Sequence, residues 1–346
     1  MSKRVSLQDI ADSLKISRGT VDRAIHNRGR INIETKERVL SEARRLGYID
    51  RKIESFLPLQ QKKRIVALIP GDVPFFRKIE EGLQKGIDDA SPEFTLQIKH
   101  ISLEDPEDEK VCLEGLLKIR EELSGVVVIP ADRTSLNGPI AKLEQGGTRV
   151  VTVNTDAPGS GRSAFIGQDL YASGRVAGEL LMNMTAGPVL LMSGYERIWA
   201  HEERVKGFLD IYRESGRESE ILGPFFMHED RAQTFEILSR NRGTFKGIYA
   251  VSGQATEGAG SFLAENKFSC PLIGNDCTES NRALLRAGAV TSLIFQSPEL
   301  QGYLAVKWLL KSLADNMIPP EEGVQVPIDI YFRENIDFFR NHTELF

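Results

Sequence analysis

Strand-like and helix-like segments alternate along the chain from residue 64 onward. Short β-rich runs, such as RIVALIP, GVVVIP and TRVVTVN, are separated by longer stretches in which apolar residues have helical spacing. Parallel strands need a crossover between them, usually a helix, so the alternation predicts parallel sheets covered by helices. The runs are too numerous for one small sheet, and we therefore expect two α/β lobes, the second beginning near residue 164. A long helix over residues 299–313 and closing strands in VQVPIDIYF complete this body.

The first fifty residues show a different pattern, which predicts three short amphipathic helices. Apolar side chains recur at the spacing of one helix face, at Leu7, Ile10, Ala11 and Leu14, then at Val21 and Ile25, and then at Val39, Ala43 and Leu46. Ser6 and Ser17 are placed to cap the first two helices. The first two helices therefore form a predicted helix-turn-helix.

Basic and polar side chains cluster on and just after the second predicted helix. They are Arg18, Thr20, Arg23, Asn27, Arg28 and Arg30. An exposed helix of this kind can enter a major groove while its neighbours contact phosphates. The alternative is a solvated helical hairpin, but cap spacing, packing pattern and basic placement coincide here and favour DNA binding.

The distribution of charge supports a nucleic-acid partner for the N-terminal part. Residues 1–63 hold 15 basic and 8 acidic residues, whereas the whole chain has a net charge of −5. A basic head is therefore followed by an acidic body.

The remaining composition restricts the compartment and the chemistry. We find no apolar leader and no run of membrane-spanning length, so we expect a cytoplasmic protein without a membrane partner. Cys112, Cys270 and Cys277 are odd in number and lack metal-ligand spacing, so we expect reduced thiols, no metal and no cofactor. Residues 50–63, with Pro58, are the predicted linker, for which a plain spacer and a functional hinge are equally compatible with the sequence.

Polar and aromatic side chains follow the predicted carboxyl ends of several strands, where open α/β sheets bind ligands. The predicted effector-binding residues are Phe75, Phe76, Asp132, Asn154, Arg204, Ser252, Asp276 and Gln296, and Asp72, Asp156, Gln254 and Asn275 occupy similar positions. Such groups suit a polyhydroxylated ligand, because the polar groups bond to hydroxyls and the rings cover C–H faces. Each residue also has a structural alternative, as core, surface ion pair or helix cap.

The segment VSLQDIADSLKISRGTVDRAIHNRGRINIETKERVLSEARRLGYI resembles the headpiece of the lactose-repressor (LacI/GalR) family of bacterial transcription regulators. The rest is similar to a periplasmic-binding-protein type 1 domain, particularly the ribose-binding kind. The resemblance implies an all-α helix-turn-helix headpiece over residues 1–49, a hinge or linker over residues 50–63, and a two-lobed α/β body over residues 64–346. It also implies a homodimer on pseudo-palindromic operator DNA, controlled by a small effector between the lobes.

Carried over by position, the resemblance places Ser17, Arg18, Gly19, Thr20 and Arg23 on the recognition helix. Arg18 and Gly19 would occupy the principal base-reading positions, and because Gly19 has no side chain, Arg18 should carry more of the readout. Ser6 at the start of the first helix joins the expected DNA contacts. Leu57 would be the wedge inserted into the minor groove, although Glu54 departs from the family pattern and opposes it.

The sequence thus predicts a repressor of a carbohydrate or polyol operon. Val73 and Ile129 are apolar where the ribose-type pattern has amides, which suggests a ligand less polar than a free pentose or one differently oriented. An enzyme is disfavoured. The Gly-rich stretches 157–162 and 252–260 match neither the Walker pattern nor a Rossmann fingerprint, and HEER at His201 lacks the second His of a zinc protease. The alternative is a non-regulatory cytoplasmic sugar-binding protein, which the basic headpiece opposes.

Overall fold

The computed structural model divides the chain into two compact units, Met1–Lys62 and Lys63–Phe346. The structure describes residues 6–25, 31–32, 35–36, 38–39, 42–43, 46, 48, 63–71, 73–102, 106–130, 135–196, 198–315, 319 and 323–339.

In the N-terminal unit, helices α1 (Leu7–Leu14) and α2 (Arg18–Ile25) begin at the two predicted caps. The Ser6 hydroxyl accepts from the Asp9 amide at 3.4 Å, and the Asp9 carboxylate accepts from the Ser6 amide at 2.7 Å. This is a capping box, which satisfies two orphan donors at once. The Ser17 hydroxyl accepts from the Thr20 amide at 3.1 Å, so both predicted caps are confirmed.

The apolar faces predicted for the headpiece meet in one small core. Its fully buried members are Ile10, Ala11, Val21, Ala24, Ile25, Val39 and Ala43. Residues 35, 36, 38, 39, 42 and 43 of the third predicted segment are helical, whereas its last apolar residue, Leu46, lies in a turn. The helical spacing alone therefore identified the residues that stabilise this unit.

The body consists of alternating strands and helices. Its strands are β1 (Lys63–Pro70), β2 (Phe94–Ile101), β3 (Leu123–Val128), β4 (Arg149–Val153), β5 (Ala164–Gly167), β6 (Val189–Ser193), β7 (Ile221–Phe226), β8 (Gly247–Ala250), β9 (Leu272–Asn275), β10 (Ser292–Phe295), β11 (Val324–Gln325) and β12 (Asp329–Phe332). Its helices are α3 (Pro74–Asp88), α4 (Pro106–Leu117), α5 (Asn137–Gln145), α6 (Leu170–Met184), α7 (Trp199–Glu214), α8 (Arg231–Arg240), α9 (Gly253–Glu265), α10 (Glu279–Arg286) and α11 (Pro298–Asp315).

Two six-stranded sheets define two lobes, as the alternation predicted. The sheet of lobe 1 has the order β11-β5-β4-β3-β1-β2, and that of lobe 2 has the order β12-β10-β9-β8-β6-β7. The strand pairs are parallel except that β12 runs antiparallel to β10. The central strands of lobe 1 are buried on both faces: in β1, Ile65, Ala67 and Ile69 face one core cluster, while Val66 and Leu68 face another. Continuous apolar runs are typical of such doubly covered strands.

The assignment of segments to lobes differs from the sequence expectation. Strand β5, which we placed at the start of the second lobe, pairs with β4 in lobe 1. Helix α11 also lies in lobe 1, against α3. The chain therefore crosses between lobes after β5, after β10 and between β11 and β12. Periodicity identifies a strand but carries no information about its partner, which explains the difference.

One side chain joins all three crossings. The Gln168 amide, directly after β5, donates to the carbonyl of Phe295 at 3.0 Å and to that of Pro327 at 2.8 Å. Phe295 ends β10, and Pro327 lies between β11 and β12. The Gln168 amide therefore fixes the three crossing segments to one another, and we call these segments the lobe hinge.

A close helix crossing positions α7 in lobe 2. A Cβ atom added at Gly174 of α6 would lie 2.0 Å from the Arg204 carbonyl oxygen, and one added at Gly207 of α7 would lie 2.0 Å from that of Tyr171. Both distances are far below van der Waals contact, so the helices pack this closely only because both residues are glycines. The crossing fixes the backbone of Arg204.

We predict that Gly174→Ala destabilises the body by about 1 to 3 kcal/mol, because the added methyl group must push α6 and α7 apart. The matched control is Gly115→Ala in α4, where a Cβ atom would meet nothing within 4 Å. That control should gain roughly 0.5 to 1 kcal/mol from helix propensity. Urea unfolding followed by circular dichroism measures both, and equal stability of the two variants would contradict the packing argument.

Candidate functional site

The N-terminal end of α2 presents the predicted DNA-binding side chains to solvent. Ser17, Arg18 and Gly19 are exposed and Thr20 is half-buried. The hydroxyls of Ser17 and Thr20 lie 2.8 Å apart, and the Arg23 Nε donates to the Gly19 carbonyl at 3.1 Å, so Arg23 folds back along the helix. The predicted contacts Asn27, Arg28, Arg30 and Leu57 lie outside the described residues.

Gly19 lies on the open side of α2. A Cβ atom added there would have only the Ser17 hydroxyl within 4 Å, at 3.9 Å. Packing within the described part of the headpiece therefore does not require glycine at this position. The backbone next to Arg18 is accessible to a close approach by a partner.

In the body, a chain of side-chain hydrogen bonds connects strand ends of the two lobes. Asn154, after β4, donates from Nδ2 to the Oε1 of Gln296 at 3.0 Å. Gln296, after β10, donates from Nε2 to the Oδ1 of Asp276, after β9, at 2.8 Å. Asn154 and Gln296 are buried. Three predicted effector-binding residues are thus brought into one network at the cleft between the lobes.

Backbone strain is concentrated after strands β4, β7, β9 and β10. Five residues without a glycine's freedom have a left-handed φ there, namely Asn154 (63°), His228 (50°), Glu229 (57°), Asp276 (65°) and Ser297 (47°). A left-handed conformation costs an ordinary residue roughly 1 to 2 kcal/mol. Such outliers persist where the surrounding structure enforces them, and they cluster at binding sites.

Arg204 on α7 is the main cation of the cleft among the described residues. Its side chain is 3% exposed, its Nη1 donates to the Val251 carbonyl at 3.1 Å, and its Nε has no partner among the described residues. Burial raises the pKa of Asp276, while the Arg204 charge and the Gln296 amide act in the opposite direction. A multiple donor and a multiple acceptor thus lie close enough for the Arg204 charge to act on Asp276.

Ser252 has a structural function as well as a cleft position. Its hydroxyl accepts from the Ala255 amide at 3.2 Å and so caps α9. The same hydroxyl donates to the Oε2 of Glu229 at 3.1 Å. Its proton is therefore already engaged, and the hydroxyl can meet a ligand only as an acceptor.

Glu229 is a cleft residue that the sequence analysis missed. It follows β7, and its carboxyl group lies beside Ser252 and close enough to Asp276 to be affected by its charge. Burial, and then repulsion by Asp276, raise the pKa of Glu229 to about 7, against the opposing effect of the Ser252 bond. Its position in the loop after a predicted strand is the signal that identifies it from sequence. The neighbouring Asp230 is a plain helix cap of α8.

His201, at the start of α7, is buried beside these groups. Burial and the positive charge of Arg204 lower its pKa to about 3, so the ring is neutral at physiological pH. Its Nδ1 accepts from the Tyr195 amide at 3.4 Å. His201 therefore adds no positive charge to the cleft.

The lobe 1 aromatics begin α3. Phe75 and Phe76 are half-buried against the lobe 1 core, with their rings edge to face at 5.3 Å between centroids. Ile129 is also part of that core. Asp132 and Asp72 lie outside the described residues.

Two other strand-end candidates have structural functions. Asp156 accepts from Arg162 Nη2 at 2.6 Å, from the Thr152 hydroxyl at 2.9 Å and from the Ala157 amide at 2.7 Å. Asn275 donates to the Ala250 carbonyl at 2.9 Å and so ties β9 to β8. Both side chains hold the strand ends in place.

Within the described ranges, no group of three or more His, Cys, Asp or Glu residues is arranged to hold a metal ion. The same residues include no helix long and apolar enough to cross a bilayer.

The fold and the cleft define a two-lobed α/β binding protein that carries an N-terminal helix-turn-helix unit. Residues 66–316 match the family described as periplasmic binding protein domain, and residues 6–50 match the bacterial regulatory proteins of the lacI family. The chain therefore belongs to the periplasmic binding protein domain family and carries a DNA-binding domain of the lacI family at its N-terminus.

Individual relatives agree with this membership. The ribose operon repressor of Halalkalibacterium halodurans is 22% identical over 262 residues, 73% of this chain and 73% of that protein. The ribose import binding protein of Haemophilus influenzae is 22% identical over 265 residues, 75% of this chain and 87% of that protein.

Solved structures share the fold of the body. A solute binding protein from Agrobacterium vitis, with bound D-fucose, has a TM-score of 0.72 at 19% identity and covers 80% of this chain and 97% of that chain. A Bacteroides fragilis protein assigned as a LacI transcriptional regulator has a TM-score of 0.71 at 23% identity, with 80% of this chain and 99% of that chain covered.

The raised pKa of Glu229 predicts a pH dependence of stability. The folded state holds this proton up to about pH 7, whereas an unfolded carboxyl loses it near 4.5, so the free energy of unfolding falls as pH rises between these values. Glu229→Gln removes the effect, and its gain in stability over the natural chain should grow by on the order of 2 kcal/mol between pH 5 and pH 8.

The control for this prediction is Glu179→Gln, which changes an exposed carboxylate on α6. Its effect on stability is the reference at each pH for the loss of an exposed carboxylate. Denaturant unfolding at both pH values measures the difference, and a pH-independent gain for Glu229→Gln would show that the carboxyl group is ionised normally.

Proposed function

We propose that the protein represses transcription of a carbohydrate or polyol utilisation operon and that a sugar-like effector, bound between the lobes, controls it. The observation that carries this proposal is the hydrogen-bond chain Asn154–Gln296–Asp276, which runs between strand ends of the two lobes. A ligand that bonds to these groups contacts both lobes at once. Its binding energy therefore depends on how far the lobes are closed.

The chemistry of the cleft supports a hydroxylated effector. Amide and carboxyl groups and one guanidinium accept and donate hydrogen bonds to hydroxyls, and the rings of Phe75 and Phe76 can cover apolar ring faces. The names of the relatives point to the same class, since ribose is named for the repressor and for the import protein, and D-fucose for one solved structure. The proposed effector site comprises Phe75, Phe76, Asp132, Asn154, Arg204, Ser252, Asp276 and Gln296.

The headpiece supplies the proposed operator contacts. We assign residues 1–49 to DNA binding, residues 50–63 to the hinge or linker, and residues 64–346 to effector binding and dimerisation. The proposed contacts are Ser6, Ser17, Arg18, Gly19, Thr20, Arg23, Asn27, Arg28, Arg30 and Leu57. A homodimer would place two recognition helices on two half-sites of a pseudo-palindromic operator, and its DNA partner implies action in the cytoplasm.

The proposed mechanism is a shift between two states of the dimer. Effector binding at the strand ends changes how far the lobes close about the lobe hinge. The more open and the more closed state of the dimer then bind the operator with different affinities. Such couplings typically amount to about 1 to 3 kcal/mol. We assign no catalytic function, because both matched families consist of regulators and binding proteins.

The operator assignment predicts a loss of sequence discrimination in Arg18→Ala. Duplexes selected from a random pool on the full chain should converge on a pseudo-palindromic site, and the variant should bind that site more weakly by about 1 to 3 kcal/mol while binding random DNA unchanged. Arg286→Ala, on the surface of the body, is the control with unchanged affinities. Equal losses on selected and random DNA would assign Arg18 to a phosphate contact instead.

The effector assignment predicts that Arg204→Ala lowers effector affinity by at least about tenfold, since a charge-assisted hydrogen bond is lost. Operator affinity without effector should not change. The control is Arg213→Ala on the same helix, whose exposed side chain bonds to Asp210 and Glu218. A thermal-shift screen of the full chain against sugars, polyols, sugar phosphates and nucleosides identifies the effector, and calorimetry measures the variants. Unaltered titration of Arg204→Ala would refute the assignment.

A further inference from the structure

The Glu229 side chain reaches inward across a strand end. Its residue follows β7, the edge strand of the lobe 2 sheet, yet its carboxylate meets Ser252, which follows β8, on the far side of β6. Gly194 follows β6, and a Cβ atom there would lie 2.0 Å from the Oε1 of Glu229. The side chain therefore crosses over the end of β6 only because residue 194 has no side chain.

The backbone enforces this inward direction at a cost. His228 and Glu229 both have left-handed φ values, 50° and 57°. The loop is held in place by the Met227 amide, which donates to the Ser193 carbonyl at 3.0 Å, and by the His228 amide, which donates to the Gly194 carbonyl at 2.9 Å. Two consecutive strained residues that aim a carboxyl group into a binding cleft indicate a function for that group.

The charges around Glu229 are unbalanced. Asp276 faces it from the end of β9 and repels it, while His201 on α7 is neutral. The Arg204 Nη1 on α7 donates to the Val251 carbonyl, and the Arg204 charge acts on Asp276. Among the described residues, no ion pair within salt-bridge distance includes Glu229 or Asp276. The described lobe 2 wall thus presents two carboxyl groups and one guanidinium. A cation in the cleft would be attracted to this wall.

We propose that the effector carries an ammonium group beside its hydroxyls and that Glu229 binds that group. This inference rests on the proposed function, that a hydroxylated effector binds between the lobes. An ammonium group donates three hydrogen bonds, and two carboxyl groups with free lone pairs can accept them. Binding a cation also removes the repulsion between Glu229 and Asp276, a gain that a neutral hydroxyl does not provide. Amino-deoxy sugars and amino-deoxy polyols are the ligands of this chemistry.

The experiment is a matched ligand panel on the full chain. Pentoses, hexoses and alditols are each tested beside their amino-deoxy counterpart and its neutral N-acetyl derivative, by thermal shift and then by calorimetry. At least one amino compound should bind about tenfold or more tightly than its parent and its N-acetyl derivative, because hydrogen bonds between charged groups are the stronger ones. The preference should weaken at high salt.

The variant Glu229→Gln keeps the shape of the side chain and removes its charge. Its preference for the amino compound over the parent should fall to within about twofold, while Glu179→Gln on the exposed side of α6 should retain the full preference. Melting without ligand shows that both variants fold.

The outcomes separate this inference from the proposed function. Tight binding of a neutral sugar or polyol, with its amino counterpart equal or weaker, would overturn the ammonium inference and leave the effector site standing. An amino preference that survives in Glu229→Gln would move the ammonium contact to another residue and so refute the role of Glu229. Binding of no compound in the panel would reject both proposals.

Discussion

The removal of charged groups from water at the strand ends of lobe 2 is the constraint on which the remaining structure depends. Burying an ionised group is unfavourable unless hydrogen bonds replace its lost hydration. The structure meets this requirement with neutral partners: Gln296 donates to Asp276, the Val251 carbonyl accepts from Arg204, and Ser252 donates to Glu229. Each replacement is partial, so these groups keep a capacity to bind something else. The cleft is therefore polar and strained, and its groups can accept further hydrogen-bond partners, while the sheets beneath it are apolar and closely packed.

The positions of these groups depend on close contacts in the layers beneath them. The glycine contact between α6 and α7 fixes the backbone at Arg204, and the side chain missing at Gly194 leaves room for Glu229. A binding site of this kind needs geometry within fractions of an ångström, which regular helices and strands supply better than loops do. Packing and polarity thus depend on the same small residues: Gly174 and Gly207 bring two helices together, and the space above Gly194 holds the Glu229 carboxyl group.

The sequence predicted most of the architecture because helical and strand periodicities are local properties. Ser6 and Ser17 are correctly predicted as helix caps because each is a serine placed just before a run of residues with helical spacing. Asn154, Asp276 and Gln296, which the strand-end rule selects, lie in one hydrogen-bond network. Strand partners are not local, so β5 was placed in the wrong lobe. Glu229 and Asp230 are chemically alike and adjacent, and the left-handed backbone at Glu229 together with the space above Gly194 brings Glu229 into the cleft, whereas Asp230 caps α8.

The hydrogen bonds that Gln168 donates in the lobe hinge go to the main-chain carbonyls of Phe295 and Pro327 and to no side chain of the cleft. Carbonyl groups are present whatever residue occupies a position, so these contacts tolerate substitution at both acceptors. The polar side chains of the cleft and the contacts that join the crossing segments are consequently separable in mutation. Replacements at the strand ends can therefore change the polar surface of the cleft and leave the Gln168 contacts intact, which makes divergence of specificity an easy evolutionary path for such a scaffold.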